Sequence, residues 1–191
     1  MGIPIKDNGS EAFKPCPAGT HAARVSEVIF IGTVHTEFKG VAKDVPQIKL
    51  SFEVPGELRE DGKPFVVSTM PMTASINKKA SFRKLVQGIV QLTPETEKEF
   101  DAEALIGQVC LINVVHNASK TDANQVYANI VSASPLPKGM EVPAPVNEQF
   151  VFNINTSPLS DIDKLPEFIK KLVVETPEYK ARLAAGEQAP F

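Results

Sequence analysis

The most regular stretch of the chain is residues 47–54, QIKLSFEV, where Ile48, Leu50, Phe52 and Val54 alternate strictly with Gln47, Lys49, Ser51 and Glu53. A period of two sends successive side chains to opposite faces, so the segment predicts a half-buried strand with its polar set outward. Residues 20–33, THAARVSEVIFIGT, are rich in β-branched and aromatic residues and apolar on both sides; they predict a long first strand with a bulge near Glu27. Residues 34–46 carry Gly40, Asp44 and Pro46 and are expected to form a loop. Beyond a polar connection, residues 64–73, PFVVSTMPMT, predict a third strand in which Pro71, lacking an N–H, marks an edge or a bulge.

The period then changes. Phe82, Leu85, Val86 and Ile89 recur at helical spacing behind Ser75 and Asn77, either of which suits a cap. Thr93 and Pro94 predict a short second helix, anchored by Phe100, Leu105 and Ile106 and stopped by Gly107. Residues 108–117 (QVCLINVVHN) and 125–133 (QVYANIVSA) predict two more strands joined by a polar hairpin loop, and Pro135, Pro137 and Gly139 end this body. Residues 150–155 predict a short strand, and 163–183 one or two helices that restart at Pro177. The organisation expected is a lead-in over 1–14, a domain over 15–140, and an acidic extension over 141–191 with a helical segment at about 164–184.

Three strands, a helix and two strands is the order of the OB fold, so the expected class is mainly β. It would be a five-stranded barrel with a helix between strands 3 and 4, binding its ligand on the strand 2 and 3 face and between the loops joining strands 1–2 and 4–5. Composition leaves that class in place: 42% of the residues are hydrophobic and 23% charged, and no run approaches the length of a membrane span. No basic start followed by an apolar stretch stands at the N-terminus, so a cytoplasmic location is expected. Net charge is −3, but residues 1–140 carry 15 Lys and Arg against 15 Asp and Glu, whereas 141–191 carry 5 against 8. A neutral body implies weak phosphate attraction unless several protomers bind side by side.

Several pieces together resemble a known family. They are PAGTHAARV, IGT, FEVPGEL, TMPMTASINKKASFRKLV, LIGQVCLINVVH and YANIVSASPLPKGM, spanning roughly residues 15–140. They are similar to the small single-stranded DNA-binding proteins encoded by bacteriophages. The resemblance implies an OB fold, a role in phage DNA replication or recombination, and action in the host bacterial cytoplasm. The final residues GEQAPF resemble the tip by which cellular single-stranded DNA-binding proteins are gripped by replication and recombination partners; that implies partner contacts through Pro190 and Phe191, although only Glu187 supplies acid there.

Candidate chemistry is judged against that expectation. Lys78, Lys79, Arg83 and Lys84 form a basic cluster free of acid, able to meet phosphates or simply to face solvent; Phe82 among them is better read as part of the helix stripe than as a stacking ring. Phe38, Lys39 and Lys43 interleave a ring with bases in the first loop, where Phe38 either stacks on a base or packs on the rim. Lys120 sits in the last hairpin loop, Arg24 and Lys49 are outward candidates for backbone contact, and Tyr127 is out of register with Val126, Ala128 and Ile130 and so a candidate for an open face.

Nothing points to an enzyme, a cofactor or a metal. His21, His35 and His116 lie in different elements, and Asp161 and Asp163 read as helix-start charges; Gly-rich phosphate loops, Gly-x-Ser-x-Gly and Cys-x-x-Cys do not occur. Cys110 reads as a core residue, Cys16 as incidental, with no disulfide between them. Oligosaccharide binding lacks a Trp to stack on sugars. The competing reading is an OB-type protein-interaction module that recruits or inhibits a host replication or defence protein.

Overall fold

The computed structural model describes residues 14–38, 40–119 and 126–188. The chain is mainly β. Its strands are β1 (Gly19–Phe38), β2 (Val41–Leu58), β3 (Pro64–Ser68), β4 (Met72–Thr73), β5 (Val109–Ala118), β6 (Val126–Ser134) and β7 (Phe150–Asn153), and its α-helices are α1 (Ser81–Ile89), α2 (Glu167–Glu175) and α3 (Pro177–Ala184). The main path runs β3-β2-β1-β5-β6, all antiparallel, with β4 paired to β2 and β7 running parallel to β1. Among the described residues no ladder joins β3 to β6, although the two edges come close. The sheet thus has seven strands rather than the expected five, and it is not closed into a barrel among the described residues.

Both additional strands have a local cause. The third predicted strand is split around Pro71 into β3 and β4, because a residue without N–H cannot continue the ladder. At the break, the Thr69 hydroxyl accepts the Leu50 N–H at 3.1 Å in place of a strand carbonyl. β7 exists because β1 is longer than its partner β5: β5 covers β1 from Gly19 to Arg24, and β7 takes over the same edge at Glu27–Phe30. Register shifts between Val25 and Glu27 and between Phe30 and Gly32 turn β1 as it passes from one neighbour to the other.

Other expectations give way to side-chain competition or to simple pairing. Residues 34–46 are a hairpin arm rather than a loop, with β1 and β2 paired out to Phe38 and Val41. α1 starts at Ser81: Asn77 instead accepts the Lys79 N–H in a turn, and Ala80 caps without a side-chain bond. The helix expected at Thr93–Pro94 is a set of turns in which Thr93 and Thr96 bond to each other, and only Ala102–Leu105 winds into a 3-10 helix.

The largest departure concerns β2. Residues Ile48 to Val54 are buried on both faces, so the alternating strand is not half-exposed. Its apolar set packs into a first core with Val25, Val28, Phe82, Val86, Leu105, Ile112 and Cys16. Cys16, expected to be incidental, is therefore a core residue, and burial with the Glu57 carboxylate pushes its thiol up to about 11; Cys110 is buried too, at about 12, and both are free.

The outer face is covered by residues 141–184. The Glu53 carboxylate, fully buried, accepts the N–H groups of Val146 and Asn147 and the Asn147 side-chain amide at 2.7 Å. Arg24 donates to the carbonyls of Val142 at 3.2 Å and Pro143 at 2.9 Å. Further along, Phe152, Ile154, Leu159, Ile162, Leu165, Ile169 and Val173 join Ile29, Ile31 and Val34 of β1 in a second core. Each such side chain contributes roughly 1.5–3 kcal/mol when buried.

α3 is fixed to the edge of β1 by a carboxylate. Glu178 accepts the Thr33 hydroxyl at 2.7 Å and the Thr33 N–H at 3.0 Å, next to Gly32, whose φ of 100° and close approach to Glu178 leave no space for a side chain. Burial pushes the Glu178 carboxyl up, but the bonds from Thr33 outweigh it and hold it below its ordinary value. A depressed carboxyl stabilises the fold above its unfolded pKa and loses that contribution as pH falls through the folded one. Glu178→Gln is therefore expected to lower stability at neutral pH and to flatten the acid side of the stability profile, as read by urea unfolding between pH 3 and 7; an unchanged acid slope would remove Glu178 from the docking of α3.

Candidate nucleic-acid interface

A cleft of about 640 Å³ opens between the unpaired edges of β3 and β6. Lys49 of β2 and Val66 and Ser68 of β3 line it from the outward face, β6 adds Tyr127 and Asn129, and the start of α2 adds Phe168. Tyr127 is 45% exposed, Phe168 48%, Val66 39% and Met70 68%. Single exposed apolar side chains are ordinary, but four converging on one concavity make it the candidate site. No Asp or Glu is among the described residues lining it.

Lys49 is the one cation of this lining among the described residues. Its Nζ donates to Ser51 Oγ at 2.8 Å and Ser68 Oγ at 3.0 Å and lies 3.5 Å from the Glu27 carboxylate. Burial lowers its pKa from the ordinary lysine value, against the opposing pull of Glu27. With 2% of its surface exposed, Lys49 is held beneath the cleft against Glu27, Ser51 and Ser68 and is not the outward backbone contact expected from alternation. Its place follows from β2 being covered: the polar set that should have met water meets Ser68, Glu27 and residues 146–147 instead.

The remaining candidates divide. Arg24 is spent on the carbonyls of Gly107, Val142 and Pro143, so it clamps the chain and is not offered to a backbone phosphate. Arg83 is withdrawn from the basic cluster: it is 5% exposed, ion-paired with Glu97, and donates to the Ile76 carbonyl at 3.1 Å. Phe82, 4% exposed, is core. Lys78, Lys79 and Lys84 are exposed, and none of them enters a described ion pair. Lys43 is exposed on the β1–β2 arm. The Phe38 side chain, Lys39, Lys120, Pro190 and Phe191 lie outside the described residues.

The Lys patch and the cleft share a strand. α1 packs onto β6 so tightly at Gly88 that an added Cβ would fall 2.1 Å from the Ala133 carbonyl oxygen. Tyr127 stands on β6 six positions before Ala133, roughly 20 Å of strand away. α1 packs on the core face of β6, where Ala133 lies with Ala128 and Ile130, whereas Tyr127 is exposed at the cleft.

Sequence reasoning missed Phe168. Its signal is present: Ile169 and Val173 form the buried stripe of α2, and an aromatic one position off that stripe is directed elsewhere. The histidines are scattered, with His21 on the Pro17 carbonyl, His35 on Asp44 and His116 on the Cys16 carbonyl. Among the described residues no cluster suited to a metal ion occurs, and no described helix is long and apolar enough to cross a membrane.

Arg83 and the three exposed lysines are expected to separate cleanly in a denaturant titration. Arg83→Ala removes a charged hydrogen bond and should cost about 1–3 kcal/mol of stability, whereas replacing Lys78, Lys79 and Lys84 together should change it by less than about 0.5 kcal/mol per site. Equal effects would contradict their assignment to different roles. Compared with known proteins, the chain matches no family model and no curated sequence.

Proposed function

We propose that this chain is a sequence-independent single-stranded DNA-binding protein built on a half-open barrel of the OB type, acting in phage DNA replication or recombination. The observation that carries the reading is the cleft. An apolar concavity with no acid in its described lining and two half-exposed rings suits bases stacking on side chains, and the exposed Lys78, Lys79 and Lys84 are available to phosphates. Strand order supports it: β3-β2-β1-β5-β6 with α1 between β4 and β5 follows the OB path, although residues 141–147 cover part of the outer face of β2 and the open cleft lies between β3 and β6. The family resemblance over residues 15–140 supports the phage role. Several protomers lined up along one strand would offset the neutral charge of the body, and the host bacterial cytoplasm is the compartment this role implies.

A second reading, an interaction module that recruits or inhibits a host replication or defence protein, is favoured by the exposed apolar side chains of Val66 and Met70. They would accept the apolar side chains of a peptide as readily as a base.

The chain contains no Trp and two Tyr, of which Tyr179 is buried in the second core and Tyr127 is exposed at the cleft. Oligo-dT added to the full chain at low salt is expected to quench tyrosine emission, and Tyr127→Phe should abolish the quench while keeping most of the affinity. Replacing Lys78, Lys79 and Lys84 with Ala should reduce the slope of log K against log salt by about 0.7 for each phosphate that is no longer neutralised. Absence of any salt-dependent binding would leave the second reading in place.

A further inference from the structure

We infer that the extension over residues 141–184 is a working part of the DNA site, with Phe168 supplying a stacking ring to the same cleft as Tyr127. The inference rests on the single-stranded DNA reading and adds to it a residue, a ring pair and a consequence for the extension.

Phe168 is exposed by placement and not for want of a core. Its neighbour Ile169 and, four residues further, Val173 are fully buried against β1, so α2 is seated by its own stripe and carries Phe168 outward on a fixed helix. The Glu178–Thr33 bonds and Arg182, which donates to the carbonyls of Ile154 at 2.8 Å and Ser157 at 2.7 Å, hold the following helix in place. A ring presented from a rigid element at a cleft mouth is preorganised, so a ligand that stacks on it costs the protein little freedom.

The occupant is identified by shape and hydrogen-bonding chemistry. Lys49, the sole charged lining residue among those described, is buried and balanced by the Glu27 carboxylate at 3.5 Å, and Glu167 in the first turn of α2 is paired with Lys170 at 3.0 Å. Two half-exposed aromatic rings and the Asn129 amide in an apolar cleft favour a flat ligand with hydrogen-bonding edges: a nucleobase of a single strand, whose phosphates stay outside the cleft. An apolar peptide side chain uses the rings but not the amide.

The extension therefore adds affinity instead of competing with DNA for the groove. Anisotropy of labelled oligo-dT with the full chain tests this through Phe168→Ala, Phe168→Leu, Phe168→Tyr and Tyr127→Ala, each compared at one salt concentration. A stacked base is worth roughly 1–3 kcal/mol, so Phe168→Ala and Phe168→Leu are both expected to weaken binding about 5- to 150-fold while Phe168→Tyr stays near wild type. Wild-type affinity in the Ala or Leu variant, alongside weaker binding in Tyr127→Ala, overturns the role of Phe168 and leaves the DNA reading standing. Failure of the wild-type chain to bind oligo-dT removes both. Because Phe168 is half-exposed, the Leu and Tyr variants are expected to unfold at the wild-type urea midpoint, which separates an effect on stacking from an effect on folding.

Discussion

Everything in this molecule depends on covering the outer face of β1 and β2. That face carries Ile29 and Ile31, which cannot be left in water cheaply, and Glu53, a carboxylate that cannot be buried without partners. Residues 141–184 meet both needs. Val146 and Asn147 surround the carboxylate with donors, and the seven apolar side chains from Phe152 to Val173 complete a second core. Removing either half of this arrangement leaves the other untenable: a charge without donors or a hydrophobic face without cover.

The cleft is what that covering leaves open. β7 extends the sheet at β1, residues 141–147 close over the end of β2, and α2 reaches the edge of β3, so the remaining gap is bounded by β3, β6 and the first turn of α2. Within it the same outward face of β2 that supplies Glu53 to the extension supplies Lys49 to the cleft. One strand face thus anchors the extension at one end and underlies the cleft at the other, so the extension and the cleft are mechanically the same object.

How much of this was readable depended on whether the cause was local. The strand pattern of β2, the break at Pro71, the helical stripe of α1 and the restart at Pro177 follow from period and backbone chemistry, and each is in place. Burial of Lys49, Ser51 and Glu53 was not readable, because alternation reports that a strand has two faces but not what lies on the second. Arg83 and Arg24 were misassigned for a related reason: a guanidinium in a basic or alternating segment looks free until Glu97, or the carbonyls of residues 107, 142 and 143, come from far along the chain. Tyr127 was readable from strand register and Phe168 from its offset against the α2 stripe, but their meeting in one cleft is a tertiary fact.

The central claim is that the extension and the sheet are one folding unit. Native-state hydrogen exchange on the full chain tests it most directly, by comparing β7 and the buried turns of α2 with β2 under increasing denaturant. The account predicts that amides of residues 150–153 and 169–173 open with the same free energy and denaturant dependence as those of residues 48–54. Opening of 150–184 as a separate unit, at much lower free energy and with β2 still protected, would contradict it.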